Sequence, residues 1–349
     1  MSDLHIRREG RAGRITLDRA HALNALSYEM CLEIDAALRG WAEVDAVALV
    51  VIDAIGDKAF CAGGDLGEMY ATGSAGDHGY GRRFWADEYR MNARIAEYRK
   101  PVVTLMQGFT LGGGVGLGCH ASHRVVCESS RIAMPECAVG IVPDVGGSYL
   151  LARALGRVGA YLGLTGARMT PGCAIWAGFA DYFVPRAEWG DLVSGLVASG
   201  DPDMIPVQTT PDSPLAAQAA AIDQVFASND GATILTALDL VGGDFAAEGR
   251  AMIARGSPLA QACALEVLRR LGPDPDIRAA LTQEYRFTYR ATAQSDFLEG
   301  IRAAIIDKDR APCWRHRSLA DVTAAEVADM LAPLGVAELK LETREEETP

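Results

Sequence analysis

The stretch from Pro101 to Cys127 constrains this chain more than any other. Pro101-Val102-Val103-Thr104-Leu105-Met106 has strand character, Gly108 to Gly114 is a glycine-rich loop, Val115 to Ala121 starts a helix, and Arg124 to Cys127 is a second strand-like run. Strand, loop, helix, strand in that order is a crossover between parallel strands, which places the chain in the α/β class. Further upstream, Ala46 to Ile52 is a short Val-rich run closed by Asp53, the pattern of a buried strand. Leu4 to Leu17 reads as two short strands joined near Gly10 and Gly13. Between these, Met30, Cys31, Ile34, Leu38 and Trp41 recur at helical spacing and predict an amphipathic helix from Tyr28 to Trp41.

The same reading assigns a loop to Gly56 to Asp65 and a helix to Arg83 to Tyr98. Ile132 to Tyr149, with Pro135, Pro143 and Gly146-Gly147, is turn-rich. Helices are expected at Leu151 to Leu155, Val158 to Leu164 and Cys173 to Ala177, the last capped by Gly178, and a short strand at Asp181 to Val184. Pro202, Pro206, Pro211 and Pro214 crowd one segment and mark a boundary. We therefore expect an α/β core over 1–200 and a mainly helical region over 201–349 packing on it, ending in a charged, fraying tail from Glu342 to Pro349.

Of the 349 residues, 49% are hydrophobic and 23% charged, enough for a soluble globular protein with a large core. The net charge of −13 disfavours nucleic acid and anionic membranes as partners. An anionic ligand would need backbone dipoles or a few Arg and Lys residues to receive it. The eight cysteines form no CxxC pair, and most lie in apolar stretches, as buried thiols do in a reducing compartment. The six histidines have no ligand spacing, so no metal is expected. The first residues run straight into charges, without a secretory or transit signal, and a cytoplasmic location is the expectation.

Three motifs can carry chemistry. Phe60-Cys61-Ala62-Gly63-Gly64-Asp65 follows a strand and precedes a helix; it is either a plain tight turn capped by Asp65 or a loop whose N–H groups meet a ligand. Gly108 to Gly118 opens a helix with six glycines. It fits neither G-x-G-x-x-G nor a P-loop. It serves either close helix packing or an oxygen that becomes anionic. Met134-Pro135-Glu136 and Pro143-Asp144-Val145-Gly146-Gly147 place two carboxylates eight residues apart in apolar, turn-rich company. Acids so placed are paired, act as caps, or have their pKa moved toward catalysis.

Taken together, two glycine-bearing loops followed by a carboxylate twenty residues past Gly116 resemble the crotonase (enoyl-CoA hydratase/isomerase) superfamily. The resemblance implies a spiral of ββα units, with the N–H groups of Gly64 and Gly113 binding a thioester oxygen. Asn24-Ala25-Leu26 resembles the family's coenzyme A loop, and Asn24 and Ala62 are implied substrate contacts. Glu136 matches the second catalytic glutamate of hydratases, whereas the position of the first is Gly116, a departure that argues against ordinary hydration.

The chain more closely resembles the 3-hydroxyisobutyryl-CoA hydrolase branch. The similar stretches include Phe84-Trp85-Ala86-Asp87-Glu88-Tyr89, Glu284-Tyr285-Arg286, Asp296 to Ala303, Ile306-Asp307-Lys308-Asp309 and Pro312-Cys313-Trp314. That branch implies substrate contacts at Glu88, Gly113, Glu136 and Asp144. It also implies hydrolysis of 3-hydroxyisobutyryl-CoA in valine degradation (EC 3.1.2.4), with no cofactor because coenzyme A belongs to the substrate. The partner is then a small acyl-CoA, and a homo-oligomer stays open, since crotonases often assemble. The rival readings are an enoyl-CoA hydratase or isomerase and a non-catalytic acyl-CoA-binding protein.

Overall fold

The computed structural model describes residues 3–341; the charged tail expected to fray lies outside them. Its strands are β1 (Leu4–Glu9), β2 (Ala12–Leu17), β3 (Leu49–Ala54), β4 (Ala59–Cys61), β5 (Val102–Met106), β6 (Phe109–Leu111), β7 (His123–Val126), β8 (Arg131–Ala133) and β9 (Tyr182–Phe183). The helices begin with α1 (Tyr28–Trp41), α2 (Leu66–Ser74), α3 (His78–Ala96), α4 (Gly113–Gly118), α5 (Gly147–Arg153), α6 (Val158–Thr165), α7 (Pro171–Trp176) and α8 (Trp189–Ser199). They continue with α9 (Pro214–Val225), α10 (Gly231–Val241), α11 (Gly243–Ile253), α12 (Pro258–Leu271), α13 (Ile277–Gln294), α14 (Phe297–Ile301) and α15 (Ala324–Met330). None of the described helices is long and apolar enough to cross a membrane.

The chain sorts into two compact units, each assembled from three stretches: 1–64, 91–133 and 168–217 in the first, and 65–90, 134–167 and 218–349 in the second. This partition differs from a single cut at the proline-rich segment, because the turn-rich stretch from Met134 to Ala167 goes with the C-terminal helices.

The first unit holds two sheets. Six strands run in the order β1-β2-β3-β5-β7-β9, and β4-β6-β8 make a smaller one. Among the described strand pairs the β1–β2 hairpin is the antiparallel one, turning at Gly10 (φ +54°) as the sequence predicts. The remaining pairs are parallel. Consecutive strands alternate between sheets, since β3, β5 and β7 go to the larger and β4, β6 and β8 to the smaller. That alternation is the ββα spiral. Leu49, Val51, Val103, Leu105, Val125 and Cys127 are fully buried on one face of the larger sheet, against Trp189, Leu192, Val193 and Leu196 of α8. At about 1.5–3 kcal/mol for each fully buried large aliphatic side chain, this layer outweighs any single polar contact in the unit. The five residues that predict α1 are the five that it buries, and Ser27 caps it by accepting from the Met30 N–H.

Some boundaries move. β3 starts at Leu49 and runs through Asp53, because that carboxylate pairs with Arg14 of the neighbouring strand at 2.7 Å instead of ending the strand. α3 begins at His78, where Asp77 accepts from the Gly79 N–H at 3.0 Å. The loops expected at Gly56 to Asp65 and Gly108 to Gly114 contain β4 and β6, and β8 takes up the start of the segment expected to be turn-rich; three-residue strands are too short to show a period of two.

The second unit is helical. α12 buries one long face, Pro258 to Ala260, Gln261, Cys263 to Leu265 and Val267, and packs with α5, α6, α13 and α15. Among the cysteines of the whole chain, seven are buried, Cys313 is exposed, and all are free.

Candidate active site

In the first unit, β4 and β6 run parallel with Ala59 opposite Phe109 and Cys61 opposite Thr110. The two loops that leave their carboxyl ends, carrying Ala62 to Gly64 and Gly112 to Gly114, therefore emerge side by side. A Cβ placed on Gly63 would lie 4.0 Å from the Gly113 nitrogen. Gly112 precedes α4 at φ 50°, ψ −118°, a conformation that only glycine adopts readily. At Gly114 a Cβ would stand 2.1 Å from the Cys61 carbonyl oxygen, so α4 can press onto β4 only without a side chain there. Of the two roles weighed for the glycine stretch, close helix packing is thus seen at Gly114. Among the described residues the Gly64 and Gly113 N–H groups donate to no acceptor. Gly113 stands in the first turn of α4, where helix geometry leaves N–H groups unused.

Asn24 supports this loop pair from below. It is 1% exposed, its amide nitrogen donates to Ile55 O at 3.0 Å and Ala59 O at 2.9 Å, and its oxygen accepts from Arg19 N at 2.9 Å. Its side chain is thereby fully engaged, so the loop around it offers a ligand backbone groups. Ala62 donates its N–H to Leu23 O at 3.0 Å, tying the two loops together. Gly116 is a buried position on α4 and brings no carboxylate.

The second unit contains the acids. Glu136 follows β8 by three residues and opens the 3-10 turn Glu136–Val139. That turn is locked by two close approaches: a Cβ on Gly140 would lie 2.6 Å from the Asp296 backbone, and one on Gly300 would lie 2.3 Å from Val139 O. Glu136 is 4% exposed and its Oε2 has no partner. Burial, then the charges of Asp144, Glu284 and Glu88, push its carboxyl well above the usual range. The structural ion pair that a buried glutamate commonly makes is not formed here among the described residues.

Asp144 lies on a turn with two left-handed residues, Val145 (φ 54°) and Gly146 (φ 76°). Positive φ at a β-branched residue costs about 1–3 kcal/mol and persists only where surroundings enforce it. The enforcing group is Glu284 of α13, fully buried, which accepts from Gly146 N at 2.8 Å, from Ser148 N at 3.0 Å and from the Ser148 hydroxyl. Asp144 therefore does not cap α5 with its side chain; the Glu284 carboxyl supplies the acceptor oxygens at that helix start. The Asp144 carboxylate instead accepts from the Tyr89 hydroxyl at 2.8 Å. Burial raises its pKa to about 7 against the lowering effect of that hydrogen bond. Burial likewise raises Glu284 to about 8. Glu88, on α3, is 3% exposed with an unpartnered Oε1, and burial followed by the Asp144 charge moves it well upward.

The unit thus gathers Glu88, Glu136 and Asp144, the three acids singled out from the sequence, and adds Tyr89 and Glu284. Those two lie within stretches noted for resemblance, but no local spacing announces their roles: Glu284 is 138 residues from Gly146 and Tyr89 is 55 from Asp144.

Alternating two-sheet repeats, with free amides after the parallel strands and buried acids in the helical unit, define a crotonase-type α/β protein. A family model described as enoyl-CoA hydratase/isomerase matches residues 12–331, and the chain belongs to that family. The mitochondrial 3-hydroxyisobutyryl-CoA hydrolase of Gallus gallus is 36% identical over 97% of this chain and 91% of its own length. The crystal structure of an enoyl-CoA hydratase from Rhodobacter sphaeroides 2.4.1 is 58% identical with TM-score 0.95, covering 97% of this chain and 100% of that one. That of a carnitinyl-CoA dehydratase from Mycobacterium thermoresistibile is 38% identical with TM-score 0.93, covering 99% and 100%.

Proposed function

We propose that this enzyme hydrolyses an acyl-CoA thioester, with 3-hydroxyisobutyryl-CoA as substrate. One observation carries the reading: Glu136 is a buried carboxyl with an unpartnered oxygen, while the position where hydratases hold their other glutamate is Gly116. A hydration needs two acid–base groups around one water; a thioester hydrolysis needs one, because thiolate leaves without a strong acid. The curated hydrolase relatives, matched over nearly the whole chain, support the same choice.

In this reading the Gly64 and Gly113 N–H groups receive the thioester oxygen as it becomes an oxyanion, each donor lowering the barrier by about 2.7–4 kcal/mol in comparable sites. Glu136 takes a proton from water, or attacks the carbonyl itself to give a mixed anhydride. Its raised pKa makes it a strong base once ionised. Asp144 and Glu88 hold the 3-hydroxyl or the water, and a buried acid left unpaired by a deoxy analogue would make that selection steep.

The test is a pair of assays on one preparation. Release of free thiol from 3-hydroxyisobutyryl-CoA is expected, with slow or no loss of enoyl absorbance from crotonyl-CoA. The opposite pattern would establish the second reading, hydration, which the names of the Rhodobacter and Mycobacterium structures favour. Binding without turnover of either ester would leave only a carrier. A single turnover in oxygen-18 water, with label found in Glu136, would select the anhydride route.

A further inference from the structure

Tyr89 is fully buried on α3, and its hydroxyl lies between two oxygens: Asp144 Oδ2 at 2.8 Å and Thr288 Oγ1 at 3.3 Å. A phenol has one proton and can give it to only one of them. The distances match the ionised site, in which the proton goes to the carboxylate along the shorter, charge-assisted bond. Thr288, itself fully buried on α13, aims its own proton at the helix carbonyls of Glu284 (3.3 Å) and Tyr285 (3.4 Å), leaving its oxygen lone pairs toward Tyr89. We infer that Tyr89 is a positioning residue whose hydroxyl serves both charge states of Asp144: it donates to Oδ2 when Asp144 is ionised, and when Asp144 is protonated it accepts from it and donates to Thr288.

The arrangement solves a problem that burial creates. A buried carboxyl that changes charge leaves either a donor or an acceptor unmatched, unless its partner can turn around. The titratable groups acting on Asp144 are Tyr89 and Glu88 from α3, Glu136 from the 3-10 turn and Glu284 from α13. Of these, Tyr89 is the group hydrogen-bonded to the Asp144 carboxylate, and its hydroxyl can switch between donating and accepting without gaining charge. Holding Oδ2 also leaves the other carboxylate oxygen for substrate or water. The role in turnover rests on the hydrolase reading, whereas the role toward Asp144 does not.

Two conservative variants separate this from simple packing, because they must move the Asp144 titration in opposite directions. Tyr89→Phe removes the donor to the ionised form and should raise the midpoint by about one pH unit. Thr288→Val removes the acceptor that the protonated form needs and should lower it, while Thr288→Ser should leave it unmoved. The readout is carbon NMR of carboxyl-labelled aspartate in the full-length protein, with the Asp144 signal identified by its loss in Asp144→Asn. The acid limb of kcat/KM for thiol release is measured alongside. Opposed NMR shifts with matching displacement of the acid limb bear out the whole inference. Opposed NMR shifts with an unmoved acid limb keep the Tyr89 role and overturn the part given to Asp144 in hydrolysis. Midpoints that stay put, or move together, overturn the inference whatever the turnover does. Thermal unfolding of each variant identifies any that lose activity by misfolding; should Thr288→Val be one, Thr288→Ala, which also lacks the acceptor, takes its place in the comparison.

Discussion

At the scale of single residues, Glu136 and Asn24 show how opposite demands are met by buried polar groups. Asn24 has every amide function matched by backbone, and removing it strands the Arg19 N–H and two carbonyls. Asn24→Ala should therefore cost about 2–4 kcal/mol, read as a lower denaturant midpoint with an unchanged slope. A loss under about 0.5 kcal/mol would show the latch to be dispensable. Glu136 is the reverse case, buried with an unmatched oxygen, which destabilises the resting fold and fits the chemistry proposed for it. Glu136→Gln should reduce thiol release by about 10²–10⁴-fold, with KM for the thioester little changed. Thermal stability should hold or rise, since an uncharged amide is easier to bury than a carboxylate. Retained turnover would take Glu136 out of the reaction. Both acids on the turns, Glu136 and Asp144, were visible in the sequence because carboxylates are rare among Met, Pro, Val and Gly. Their keepers were not: Glu284 reads like any acid on an amphipathic helix until the chain has folded and brought it to Gly146 and Ser148.

At the scale of elements, strength of pattern decided what was legible. α1, β5 and β7 each show several buried residues at one period, and they emerge within one residue of their expected limits. β4, β6 and β8 are three residues each, and pairing with one another makes them strands. In the proposed reaction they matter more than the longer strands, because the amide-bearing loops leave from β4 and β6 and Glu136 follows β8. The α4–β4 contact is the sharpest point of this arrangement. Gly114→Ala would drive a Cβ to 2.1 Å from Cys61 O, and neither partner is a flexible side chain. Overpacking of this kind typically costs about 1–3 kcal/mol, and here it also lifts the Gly113 amide away from β4. The variant should melt lower and lose turnover more than substrate affinity, since an oxyanion donor acts in the transition state. If kcat stays within about twofold while the melting temperature falls, the Gly113 amide does not take part in the reaction.

For the molecule as a whole, buried acids set how stability follows pH. Asp144 and Glu284 titrate near 7 and 8 in the folded chain against ordinary values of 3.8 and 4.5, and in both the first cause is burial. From about pH 4 to 8 the folded protein keeps protons that the unfolded chain has released, so each step up in pH favours unfolding. Ion-paired acids work the other way: Glu266, held near 2 by Arg269 and Arg270, and Glu326, held near 2 by Thr323 and His316, stabilise the fold above the ordinary carboxyl range and lose that contribution in strong acid. Both are partly exposed, so solvent screening makes each contribution small. Their window also ends near pH 4.5, below the one in which Asp144 and Glu284 ionise. Between pH 5 and 8 the buried pair therefore wins, and the net charge of −13 adds self-repulsion in the same direction. The ligand-free protein should show a melting temperature that falls steadily from pH 5 to 8, and Asp144→Asn should flatten the slope, because the asparagine has no proton to lose. A melting temperature that is level or rises over that interval would mean that the acids are already ionised and compensated in the folded state, and the case for Asp144 as a group poised near neutrality would go with it.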